Sequence, residues 1–125
     1  ARDQFVAAQD CFASAHIDMS WAWALDPAGA TEFLKRYLVS APQNKVFTFG
    51  GDYSVIECAS GHARMARQGI TRTLSDLADQ GWMGASEAID LVDPLMRGNA
   101  TRFFSLEDKT RRLSQVPWVG AEDGT

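Results

Sequence analysis

Lys45-Val46-Phe47-Thr48-Phe49-Gly50-Gly51-Asp52-Tyr53 constrains this chain more than any other stretch: an apolar strand runs into two glycines, presents a carboxylate and leads into a long helical pattern. Val46, Phe47 and Phe49 make a near-continuous apolar run, as in a strand covered on both faces. An acid at the C-terminal end of a buried parallel strand faces the edge where sites form. Residues 15–20, with Ala15, Ile17 and Met19, read as an earlier strand. Between the two, Asp26-Pro27 marks a helix start, because Asp can accept a bond from a free N–H and proline at the first helical position loses none. Ala30, Phe33, Leu34, Tyr37 and Leu38 keep helical spacing, and Pro42 stops the helix. Ile17 and Phe47 stand thirty positions apart, the length of one β-α-β unit. Such a unit lays its strands parallel, so residues 18–21 and 50–53 should emerge at the same sheet edge.

Beyond that edge, Ala63, Ala66, Ile70, Leu74 and Leu77 predict a helix over 57–79 that ends before Gly81. Ser86 is expected to cap another over 87–97, with Ala88, Ile89, Val92, Leu95 and Met96 buried, a bend at Pro94 and a stop at Gly98. A short helix over 100–105 follows, started by Asn99. A segment over 4–9 has the pattern of the end of a preceding helix, and residues 119–125 have the composition of a frayed tail. The fold class expected is α/β.

Three stretches together carry a family resemblance: Ala15-His16-Ile17-Asp18-Met19-Ser20-Trp21, the segment ending in Gly50-Gly51-Asp52-Tyr53, and Asn99-Ala100-Thr101-Arg102-Phe103-Phe104. From about Phe5 to Leu106 the chain resembles the end of a metal-dependent amidohydrolase, in the uronate-isomerase-like (amidohydrolase-2) branch. The resemblance implies the last two strand–helix units of a (β/α)8 barrel plus C-terminal helices. Such a barrel takes roughly 250 residues, and this chain has 125, so it is expected to be a C-terminal piece whose N-terminal barrel portion is missing. Members carry a His-x-His on the first strand, a Lys or Glu on the fourth, histidines on the fifth and sixth, and an Asp on the eighth. Of these, only the Asp has a counterpart here, Asp52.

The matching Asp of the family binds a divalent metal, takes the proton from its bound water and passes it on. That implies Asp52 as catalytic residue and metal ligand, with zinc or manganese as the cofactor of the full-length parent and none needed in the fragment. A turn-forming Asp that bonds nearby N–H groups is the alternative. In the resembled fold the loop after the first strand lines the substrate mouth, which makes Trp21 a candidate substrate wall; Trp23 shares that loop, and either indole could instead cover core. Tyr53 and Glu57 could point into the same mouth, although Glu57 equally suits a helix dipole. The parent is expected to hydrolyse or isomerise a small polar substrate, while the fragment alone is expected to be inactive.

His16 and His62 do not pair with Cys11 and Cys58 as a zinc finger would, because the spacing differs from any such signature. His62 reads as an ordinary helix residue near the barrel mouth. Asn99-Ala100-Thr101 matches a glycosylation sequon but reads more simply as a helix start. With 46% hydrophobic residues there is material for one core, and the apolar runs are too short to span a membrane. A net charge of -4, with scattered basic residues, argues against nucleic acid. Two cysteines in unlike contexts suit a reducing cytoplasm. A second reading is a non-catalytic α/β packing or interaction domain. Its two strands would leave both sheet edges open and favour a homo-oligomer.

Overall fold

The computed structural model describes residues 14–116, so Cys11, the segment over 4–9 and the tail over 119–125 lie outside the described residues. Helix α1, Ala22–Leu25, is a single turn, and α2 spans Pro27–Ser40. The Asp26 carboxylate accepts a hydrogen bond from Gly29 N at 2.8 Å and Pro27 takes the first helical position. At the other end Ala41 N donates to Tyr37 O, and extended Pro42 opens a short 3-10 turn, Gln43–Lys45.

The strands are shorter than the 15–20 and 45–49 expected. Only β1, Ile17–Asp18, and β2, Val46–Phe47, pair, in parallel with Ile17 opposite Val46 and Asp18 opposite Phe47. Side chains take over the backbone groups that a longer ladder would use. Ser20 N donates to the Asp18 carboxylate at 2.8 Å. The Trp23 indole N–H donates to Thr48 O at 2.6 Å, and the Thr48 hydroxyl donates to Leu95 O. Among the described residues no third strand joins the pair, so the fold is mixed α/β and mostly helical.

Helix α3, Cys58–Asp79, buries His62, Ala66, Ile70, Thr73, Leu74 and Leu77 as one stripe. It closes with Gly81 at φ 76, Gly81 N donating to Ala78 O and Trp82 N to Leu77 O. That pair of bonds satisfies the last carbonyls and requires the left-handed conformation glycine adopts without strain. Trp23, Leu34, Tyr37, Val46, Ile70, Leu77 and Leu95 fill the core. Lys35 bridges α2 to α3 through Asp76 at 2.5 Å.

The region expected to be one helix over 87–97 differs in three ways. Its first segment, α4, is Ala85–Asp90, preceded by Gly84, and Ser86 is not the cap. The buried stripe is Ala88, Leu91 and Leu95, whereas Ile89 is 72% exposed and Val92 is exposed as well. Apolar residues lie on more than one face here, so spacing alone does not select the face; packing does. Pro94 has no N–H to give the preceding turn, and Pro94–Gly98 widens into a π-helical turn closed by Asn99 N to Pro94 O. Gly98 does not stop the helix. Its backbone is helical and continues into α5, Asn99–Phe103. A further helix, α6, Leu106–Ser114, was not foreseen; it carries acids in its first turn and arginines in its last, which suits the helix dipole. No helix of the described residues is long and apolar enough to cross a membrane.

Asn99 is a clasp and not a cap. It is 3% exposed, its amide donates to Gln43 O at 2.8 Å and Val46 O at 3.0 Å, and its carbonyl accepts from Arg102 at 2.7 Å. These bonds tie α5 to the entry of β2. Asn99→Leu is expected to cost about 2–4 kcal/mol, since each buried acceptor left unpaired costs about 1–3 kcal/mol. Urea unfolding followed by circular dichroism checks this; an Asn99→Leu variant as stable as the parent would remove the clasp from the account.

Candidate functional site at the strand mouth

Both strands end at the same edge, and the segments leaving them meet there. On the first, the Asp18 carboxylate takes hydrogen bonds from both the Ser20 amide and the Ser20 hydroxyl. The tight turn this makes leaves Trp21 42% exposed and sends Trp23, 0% exposed, into the core. Of the two indoles, Trp23 covers core and Trp21 stays at the surface of the mouth.

On the second segment the expected glycine turn is placed differently. The left-handed residue is Asp52, at φ 67, and neither Gly50 nor Gly51 has positive φ. Gly50 is needed for closeness: a Cβ there would collide with the Ser20 side chain, so the two segments could not meet. Asp52 is exposed, and among the described residues no hydrogen bond or ion pair engages its carboxylate. Asp adopts the left-handed region more readily than most residues, so the turn presents the carboxylate outward at modest cost.

Tyr53 turns back toward the fold, its hydroxyl donating to Gly50 O at 3.3 Å. Its ring meets Trp21 edge-on, centroids 5.4 Å apart. His62 joins them from the first turns of α3, 5.6 Å from Tyr53, 6.0 Å from Trp21 and 5.4 Å from Phe49. This imidazole is 4% exposed, and neither ring nitrogen has a hydrogen-bond partner. Burial pushes its pKa below the ordinary 6.5, since nothing nearby repays the charged form.

Trp21 and Tyr53 are thus brought together, and Asp52 directly precedes Tyr53 in the chain. Glu57 is not brought into this contact set. It precedes α3 as an exposed residue whose side chain caps nothing. His62, read from sequence as ordinary, is the missed member. Its signal was present, because His62, Ala66 and Ile70 follow one another at four-residue spacing on the buried stripe.

No group of three or more His, Cys, Asp or Glu among the described residues is placed to hold a metal ion. By themselves these residues do not fit a metal centre, and Asp52 is at most one ligand. A groove of about 760 Å³ lies elsewhere, between α2 and α3, lined by Trp23, Thr31, Lys35, Met65, Gly69 and Arg72. Glu32 also lines it, and its lysine is held in ion pairs with Glu32 and Asp76. Comparison with protein-family models, with curated proteins and with solved structures finds no match to the chain.

Proposed function

We propose that this chain supplies the last two strand–helix units of a (β/α)8 barrel, in an amidohydrolase-like hydrolase or a uronate-isomerase-like enzyme that acts on a small polar substrate. The observation that carries the reading is the Asp52 carboxylate, exposed and without a partner among the described residues, on the segment that leaves β2 at the mouth of two parallel strands where Trp21 and Tyr53 pack together. An unpartnered carboxylate at that edge is what an incoming cation or a transferred proton requires. A parallel pair with no third strand among the described residues supports the same reading, because a parallel sheet is ordinarily continued by further strands. Trp21 and Tyr53 serve as substrate wall, with Glu57 further out on the rim.

The parent's cofactor in this reading is a divalent metal, zinc or manganese, to which this piece contributes Asp52. One carboxylate holds a catalytic zinc poorly, since such sites use three protein ligands. The chain alone is therefore expected to be inactive. Elemental mass spectrometry on the purified chain, after loosely bound ions are removed, should find no stoichiometric zinc or manganese. Near-stoichiometric metal together with turnover by the chain alone would overturn the reading. An exposed, free Cys58 suits a reducing cytoplasm.

A second reading, a non-catalytic domain that self-associates, is favoured by one further observation. His16, Phe47, Phe103 and Phe104 form an aromatic cluster with ring centroids 4.4–5.5 Å apart, yet Phe103 and Phe104 stay about half exposed. Sedimentation velocity separates the two. Self-association gives concentration-dependent oligomers of the chain alone, whereas a barrel piece closes its edges on a co-expressed N-terminal barrel portion and gains metal with it.

A further inference from the structure

The environment of His62 points to a device that neither reading of the mouth uses. The imidazole sits where three parts of the fold meet: Trp21 from the first segment, Phe49 and Tyr53 from the second, and its own helix α3. It meets Phe49 and Tyr53 nearly edge-on, at 74° and 82°. In the neutral state an imidazole is an aromatic ring that packs well against such neighbours. Weak N–H contacts to ring faces soften the loss of its ordinary hydrogen bonds.

We propose that His62 is a proton-operated latch: neutral, it clamps the Trp21 and Tyr53 rings together and holds the Asp52 turn in place, and protonated, it releases them. An imidazolium needs acceptors for two N–H donors, and among the described residues neither ring nitrogen has a hydrogen-bond partner. The other titratable groups on the two segments are Tyr53 itself, Asp18 and Asp52, and those at the head and on the adjoining turns of α3 are Glu57, Cys58, Arg64 and Arg67. None hydrogen-bonds the ring, and Asp18 is already engaged by Ser20. Attraction between the cation and the aromatic faces offsets part of the cost without supplying the missing acceptors.

Relief can come from one direction. Behind His62, Ala66 and Ile70 are buried in the core, whereas in front Trp21 is 42% exposed and Tyr53 is half-buried on a segment without regular structure. Moving these two rings opens the imidazolium to water and carries the adjoining Asp52 with them. The sign follows from the direction of the shift. Burial holds the folded pKa below 6.5, so the closed state is fully favoured above that value and loses its advantage as pH falls from it through the lowered folded pKa. Carboxylic acids as a class titrate near 4 and thiols near 8.5, so the window between reads imidazoles.

The test uses the full chain. Imidazole resonances are followed by NMR from about pH 8 to about pH 5, a His16→Phe variant identifying which belong to His62. Trp21 accessibility is read in parallel by acrylamide quenching, as the difference between the chain and its Trp21→Phe variant. The expected result is a His62 midpoint below 6.5, with Trp21 quenching rising roughly twofold across it, the gain open to a ring now 42% exposed. His62→Phe, which keeps an aromatic ring in the cage, should abolish that rise. A His62 midpoint at or above 6.5 overturns the latch, as does Trp21 quenching that stays flat through the titration. So does a His62→Phe variant that folds and keeps the pH response. Should that variant fail to fold, the coupled titration in the unaltered chain decides the question.

Discussion

Replacing Trp23 with alanine is expected to cost about 3–5 kcal/mol, the range for removing a buried aromatic ring, whereas Trp21→Ala should cost about 1 kcal/mol. Trp23 has no exposed surface, and its indole N–H holds Thr48 O at 2.6 Å. Deleting it leaves both a cavity and a buried carbonyl without its donor. Domains of this size are commonly stable by about 5–15 kcal/mol, so Trp23→Ala should leave little folded protein under mild denaturant. The same socket can be read from the helix side. A Cβ at Gly69 would run into the Trp23 ring, while one at Gly61, two turns earlier on the same helix, meets nothing. Gly69→Ala should therefore cost about 1–3 kcal/mol through overpacking, and Gly61→Ala should stabilise by about 0.5–1 kcal/mol through helix propensity. Urea midpoints for the four variants check the set. Equal costs for the two tryptophans, or the same sign for the two glycines, would show that the indole is not seated against α3.

How much of this was legible in the sequence depends on whether the deciding interaction is local. Asp26, Pro27 and Pro42 bound α2 because each acts on its own backbone neighbourhood, and Gly81 ends α3 for the same reason. Residues 89–98 were opaque because the deciding partners are distant. Leu95 is placed by Thr48, forty-seven positions away, and Asn99 is held by the carbonyls of Gln43 and Val46. A sequon-like Asn-Ala-Thr carries no mark of that clasp. At the mouth, the glycine pair signalled a turn correctly in kind but not in place, since Gly50 serves the approach of Ser20 while Asp52 takes the left-handed conformation. The sequence places His62 near the mouth but does not give its contacts, because they come from loops that no periodicity describes.

Asp52→Asn, made in a chain that carries the rest of the proposed barrel, is expected to lower turnover by about 100- to 10,000-fold, the contribution of a positioned acid–base group. Stability should stay within about 0.5 kcal/mol of the parent. The backbone makes this substitution informative. Asp52 sits at φ 67, a region Asn tolerates as well as Asp does, so the change removes the charge and leaves the turn intact. Asp52→Gly relaxes the turn, and Asp52→Ala strains it by about 1–2 kcal/mol, because alanine keeps the Cβ but lacks the short polar side chain with which Asp and Asn tolerate the left-handed region. The three variants thus vary backbone fitness in a known order while all of them lack the carboxylate. If Asp52 is the metal-binding acid–base group, all three should lose turnover and bound metal alike, whatever their stability. If it is a turn residue only, turnover should follow stability, with the glycine and asparagine variants near the parent and the alanine variant alone impaired. The exposed carboxylate without a partner among the described residues favours the first outcome, because a side chain kept only for its turn is expected to bond the backbone around it, as Asp18 bonds Ser20 and Asp26 bonds Gly29.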